Sequence, residues 1–166
     1  MSSAGADTTT SALETFFYAM AIAEDIQKKA QQEIDTVVGR DRLPNFDDWP
    51  SLPYTEALLR EIFRWRPVAP IIAAHCTTED DVFKEYLMPK GAFIMINVWA
   101  ISRDTDRYRD PEAFIPDRFL TESGELNDDN AGYVFGFGRR TTYGTRNPLA
   151  VNGYYVVGVQ DIEGER

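Results

Sequence analysis

Apolar residues recur at helical spacing along the first part of the chain. Leu13, Phe16, Phe17 and Met20 fall on one stripe, and Ile26, Ala30, Ile34 and Val37 repeat it before Gly39, a residue suited to stopping a helix. Two amphipathic helices, over 1–22 and 24–39, are expected. Pro44, Pro50 and Pro53 punctuate a loop, after which 54–66 reads as a helix that Pro67 must end. From Ile71 the pattern changes to short apolar runs. Val82 to Leu87 and Ala92 to Ile96 are separated by Asp80-Asp81 and Met88-Pro89-Lys90-Gly91 turns, so 71–97 reads as short antiparallel strands. Residues 102–134 are rich in Asp, Arg, Pro and Gly but carry Tyr108, Phe114 and Phe119 as anchors, the pattern of an ordered meander rather than of disorder. The fold class expected is mainly α with a small antiparallel β-sheet.

Composition narrows the function classes. At 166 residues the chain fits one domain, and a compact chain of that size buries roughly 70% of its unfolded surface. A net charge of -10 and an isoelectric point near 4.5 argue against nucleic acid as a partner, because an acidic surface repels the phosphate backbone. The single cysteine, Cys76, has no internal disulfide partner, and no Asn-x-Ser/Thr sequon occurs, so a reducing, cytoplasmic setting is expected for the chain as written. The most apolar run, Phe16 to Ala23, is far shorter than the roughly 18 residues a spanning helix needs, and the polar start lacks the basic end of a signal peptide. No membrane anchor is expected in this chain.

The segment richest in chemical information is Phe135-Gly136-Phe137-Gly138-Arg139-Arg140-Thr141-Thr142-Tyr143-Gly144. Taken alone it also suits a glycine-rich turn between strands. The glycine after Gly138 is Gly144, so the spacing is not the Gly-x-Gly-x-x-Gly dinucleotide fingerprint. There is no Gly-x-Ser-x-Gly, no phosphate loop ending in Lys-Ser/Thr, and no cluster of His and Cys with zinc-ligand spacing. Glu61 and Arg64, three apart on one helix, share a face; by themselves they read as a surface ion pair worth under about 1 kcal/mol. His75, the sole histidine, by itself suits a hydrogen-bonded structural role. Ala4-Gly5-Ala6-Asp7-Thr8-Thr9 lies near Ser11 and Glu14, whose spacing suits a capping box at a helix start.

The segment 135–144 resembles the aromatic-Gly-x-Gly-x-Arg-x-Cys-x-Gly loop of the haem-thiolate monooxygenases, the cytochrome P450 family, with Thr142 where the family carries its cysteine. Family order continues upstream through Leu43-Pro44, Leu52-Pro53-Tyr54, Pro89-Lys90-Gly91, Asn97-Val98-Trp99-Ala100 and Asp110-Pro111-Glu112-Ala113-Phe114, in the general style of fungal members. The resemblance implies the carboxy-terminal portion of the cytochrome P450 fold, incomplete: half of the distal helix in 1–22, a helix in 24–39, the Glu-x-x-Arg helix in 54–66, strands in 71–97, the meander in 102–134, the haem loop in 135–144 and a divergent tail in 145–166. Family chains are much longer than this one, so a truncated piece of a longer enzyme is expected.

The same resemblance assigns roles. Asp7 and Thr8 match an acid–alcohol pair that relays protons for oxygen activation. Pro116-Asp117-Arg118-Phe119 resembles the family's Pro-Glu-Arg-Phe motif, so Glu61, Arg64 and Arg118 would form a buried triad fastening the meander to the helix behind the haem. His75 and Arg140 match partners of the haem propionates, and Phe135, Gly136, Gly138 and Gly144 match the loop that approaches the ring. No metal ligand is expected, because the threonine hydroxyl at Thr142 is a hard, non-ionising oxygen and a poor substitute for a soft thiolate. Tyr143 is a neighbouring tyrosine, a known class of haem ligand, that a Tyr143→Phe variant would test. Cys76 is expected to be a buried thiol facing away from haem, since adjacent strand residues point to opposite faces. The implied activity is haem-dependent monooxygenation of a small organic substrate, with electrons from an NADPH-dependent reductase and, for a complete eukaryotic relative, attachment to the endoplasmic-reticulum membrane. With Thr142 in place, the chain itself is expected to be inactive. The alternative is a non-catalytic pseudoenzyme or binding scaffold.

Overall fold

A computed structural model describes residues 4–137. Helix α1 spans Ala4–Ile22 and α2 spans Glu24–Val37, with only Ala23 between them. The hydrogen bonds Ala23 N–H to Ala19 O and Gln27 N–H to Ala23 O, both 3.0 Å, keep the backbone nearly helical across the joint. Because α1 already runs from Ala4, Ser11 is not a helix cap. Its carbonyl instead accepts the Thr15 hydroxyl at 3.1 Å inside the helix, and the capping-box reading falls. Helix α2 ends where the sequence placed its stop: Gly39 takes φ 79°, a left-handed conformation that glycine adopts without a Cβ clash.

Helix α3, Pro53–Trp65, is the centre of the molecule, and ten of its residues are buried. Pro53 opens it, contributing no N–H to satisfy. The next two amides are met by a carboxylate from α2: Glu33 accepts Tyr54 N–H at 2.7 Å, Thr55 N–H at 2.8 Å and the Thr55 hydroxyl at 2.7 Å. One side of α3 packs with Ala12, Phe16, Ala19 and Met20 of α1 and Ala30 and Ile34 of α2. Its other side presents Ala57 to a second cluster made by Val98, Tyr108, Phe119, Ala131 and Tyr133. At its C-terminal end the Arg103 guanidinium donates to Trp65 O at 2.6 Å while lying 3.9 Å from the Trp99 ring centre.

The strand region differs from the expected pair of runs. Val82 to Leu87 is not one strand but a tight hairpin, β2 (Asp81–Phe83) against β3 (Tyr86–Met88), with Lys84 at φ 56° in the turn. Strand β1, His75–Cys76, pairs antiparallel with β4, Phe93–Ile94. Cys76 is exposed, contrary to the expected buried thiol: opposite facing put His75 inward, but the outer face of so short a strand carries no cover among the described residues. After the short helix α4, Val98–Ser102, the meander is ordered by 3-10 turns at Pro116–Phe119 and Gly132–Phe135. The molecule is thus mainly helical with small antiparallel pairings.

Candidate functional site

Glu61 and Arg64 are both fully buried on α3. Their i, i+3 spacing puts them on one face, where the guanidinium forks onto the carboxylate at 2.6 and 2.8 Å. The remaining Arg64 N–H groups reach the carbonyls of Ser102 at 2.9 Å, Pro111 at 2.8 Å and Ala113 at 3.2 Å. Arg118 completes the group. It contacts Glu61 through Nε at 3.3 Å and donates to the carbonyls of Arg109, Asp110 and Ala113. Glu61 also accepts Ile115 N–H at 2.8 Å. A carboxylate and two arginines therefore bind five meander carbonyls and an amide to the back of α3, and the expectation of a surface pair from spacing alone fails on burial.

An open groove of about 400 Å³ is lined by Ala69, Ile72, Ala73, Ala74 and His75 from the segment leading into β1 and by Val134, Phe135, Gly136 and Phe137 from the end of the meander. Three of the residues singled out from sequence, His75, Phe135 and Gly136, thus line one cavity. β1 delivers His75, and the 3-10 turn Gly132–Phe135 delivers Phe135, whose ring meets Phe63 of α3 edge-on at 5.2 Å. Gly136 follows at φ 101°, ψ -175°, a conformation open to glycine alone, which turns the backbone along the groove wall. Asp7 and Thr8 sit exposed in the first turns of α1 and are not among the residues lining the groove. Gly138, Arg140, Thr142, Tyr143 and Gly144 lie outside the described residues.

Sequence reasoning overlooked the groups that hold the wall behind this groove. Arg60 of α3 donates to the carbonyls of Asn127 at 3.1 Å and Asp129 at 3.0 Å, and Arg107 forks onto the Asp129 carboxylate at 3.1 and 2.8 Å. Burial works to raise the Asp129 pKa, but hydrogen bonds from Arg107 and Ala131 N–H outweigh it and hold the carboxyl below its ordinary range. Burial pushes Glu56 the other way, upward, against the opposing pull of Arg60. Tyr108 and Tyr133 are close enough to influence one another electrostatically, and burial drives the Tyr108 phenol far up, yet neither hydroxyl makes a hydrogen bond of sound geometry. The available signals were the i, i+4 Glu56–Arg60 pair, one turn before Arg64, and Asp128-Asp129-Asn130 just ahead of the glycine loop.

The family model described as Cytochrome P450 matches residues 1–146. Cytochrome P450 monooxygenase ple1 of Rhodocybe pseudopiperita is 49% identical over 144 residues, covering 85% of this chain and 27% of the relative. Cytochrome P450 monooxygenase claR of Ampulloclitocybe clavipes is 45% identical over 141 residues, covering 84% and 26%. Cytochrome P450 monooxygenase 58 of Postia placenta is 48% identical over 149 residues, covering 87% and 28%. The chain thus spans about a quarter of the length of the relatives it matches.

Proposed function

The chain belongs to the cytochrome P450 family, and from that premise we propose that it carries the haem-face scaffold of a monooxygenase, meander and groove wall together, without the cysteine that would ligate iron. The observation that carries this reading is the convergence of His75 with Phe135 and Gly136 on one groove. The groove suits a flat, largely apolar ring: aliphatic and aromatic side chains face it, the Gly136 backbone can approach closely, and His75 stands at its edge to pair with a carboxylate. By resemblance, Thr142 stands where the family carries its cysteine, and a threonine hydroxyl would not supply a thiolate.

His75 and, by resemblance, Arg140 would hold the carboxylates of the ring. Phe135, Gly136, Gly138 and Gly144 would shape the surface beneath it. Glu61, Arg64 and Arg118 hold the meander on α3 and are not among the residues lining the groove. By resemblance, Asp7 and Thr8 would hold and pass protons on the distal side. Haem bound through a thiolate supplies the family with the redox chemistry that inserts an oxygen atom into an organic substrate. In a full-length relative the electrons would come from an NADPH-dependent reductase, and the endoplasmic-reticulum membrane would be the setting. Among the described residues no helix is long and apolar enough to cross a membrane.

Thr142 favours a second reading, a non-catalytic relative that uses the same scaffold to bind haem or a partner without oxygen chemistry. Titration of the purified chain with haemin, followed in the Soret region, tests the shared premise of a ring-binding groove. Saturable binding that weakens several-fold in His75→Ala is expected. A wild-type chain with no saturable binding would remove haem from the account and leave only the partner-binding scaffold.

A further inference from the structure

We propose that Arg60 and Arg107 are positioning residues that clamp the segment around Asp129, so that residues 131–137 present one fixed wall to the groove; only the identity of the ring in that groove rests on the haem reading above. The two arginines come from different elements and grip the segment in different ways. Arg60, anchored on α3 by its Glu56 pair at 3.0 Å, takes the backbone carbonyls of Asn127 and Asp129. Arg107 takes the Asp129 side chain through two N–H groups, the planar fork that a lysine cannot reproduce. The Asp129 carboxylate passes the hold forward, accepting Ala131 N–H at 2.9 Å.

The backbone beyond Asp129 needs holding. Ala131 sits at φ 49°, in the left-handed region that a residue with a Cβ rarely adopts unless its surroundings impose it. The chain then makes a single 3-10 turn, Gly132–Phe135, and enters the groove wall at Val134. Tyr133, in the middle of that turn, is buried, but its hydroxyl and that of Tyr108 have no hydrogen-bond partner among the described residues. The turn therefore gains no well-formed hydrogen bond from its phenols, which nonetheless lie close to one another and, through Tyr108, to Asp129. It is pinned through Arg107, whose guanidinium lies 5.0 Å from the Tyr133 ring centre and 5.2 Å from that of Tyr108, a cation against two aromatic faces. One arginine thus joins the Asp129 carboxylate to the ring that carries the wall.

Amide hydrogen exchange on the whole chain, read by mass spectrometry, tests this without any ligand. Arg107→Ala is expected to speed exchange across 131–137 by about tenfold or more while leaving 54–65 on α3 unchanged, the pattern of local opening rather than global unfolding. Arg107→Lys should not restore protection, because the fork is lost. Tyr133→Phe should leave exchange near the wild-type level, because it deletes a hydroxyl that makes no hydrogen bond of sound geometry. Asp129→Asn, which keeps an acceptor for Ala131 N–H, is the second route if Arg107→Ala does not fold, and it should loosen the same segment. Unchanged exchange at 131–137, or an equal rise there and in α3, would overturn the clamp, as would loosening by Tyr133→Phe. Haemin titration of the same variants should show a several-fold loss of affinity for Arg107→Ala. If the wild-type chain binds no haemin, the haem reading fails, and the exchange result alone decides the clamp.

Discussion

At the scale of single residues, the decisive fact is that Arg64 is fully buried and yet leaves no N–H of its fork without an acceptor. Two N–H groups meet Glu61 and the rest meet meander carbonyls. A charge taken out of water is tolerated only under such complete pairing. Arg64→Ala is therefore expected to lower stability by about 3–5 kcal/mol, since it takes the fork from the buried Glu61 carboxylate, leaving it only Arg118 and Ile115 N–H, and removes the Arg64 donors from the Ser102 and Pro111 carbonyls. Urea unfolding measures this, and a loss below about 1 kcal/mol would return the pair to the surface class. The spacing of Glu61 and Arg64 was legible in the sequence. Burial of the pair was not legible from spacing, because the partners that permit it are backbone carbonyls of Ser102, Pro111 and Ala113, which carry no side-chain signature; the expectation of a buried triad came only from the family resemblance. Cys76 makes the same point in reverse: strand alternation placed it opposite His75, but alternation alone does not say whether the outer face is covered.

Secondary-structure elements were readable wherever periodicity or a stop residue marks them. The stripes in α1 and α2, the Gly39 stop and the Pro67 terminus all have local causes. The β2–β3 hairpin was missed because Phe83-Lys84-Glu85-Tyr86 contains none of the Asn-Gly or Asp-Gly pairs that announce a two-residue turn, and Lys84 must adopt the left-handed conformation instead. The start of α3 also hid its cap. Leu52, the residue before Pro53, offers no side-chain acceptor, and the cap is Glu33 from a neighbouring helix. A carboxylate at the positive end of a helix is favourable both as hydrogen-bond acceptor and as charge. Glu33→Ala should accordingly cost about 1–2 kcal/mol in thermal or urea unfolding. It should also loosen the first turn of α3 in hydrogen exchange; an unchanged midpoint would show that water replaces the cap without penalty.

At the scale of the whole molecule, α3 is the shared wall of two apolar clusters, one built with α1 and α2 and one with the meander. The meander reaches the groove through its arginine contacts as well as through that second cluster, so charge-assisted bonds and apolar packing together set where the glycine loop begins. The order of motifs along the chain made family membership legible from sequence. The groove itself was only partly legible, because His75 and Phe135 are sixty residues apart and meet through the tertiary fold. The question that family membership leaves open is chemical and rests on one position, Thr142. The most direct measurement is the reduced carbon-monoxide difference spectrum of the haemin-loaded chain beside that of Thr142→Cys, because this spectrum reports thiolate ligation itself. The account predicts no thiolate band for the chain as it stands, a thiolate band for Thr142→Cys, and no substrate oxidation by either. A thiolate band from the unaltered chain would contradict it.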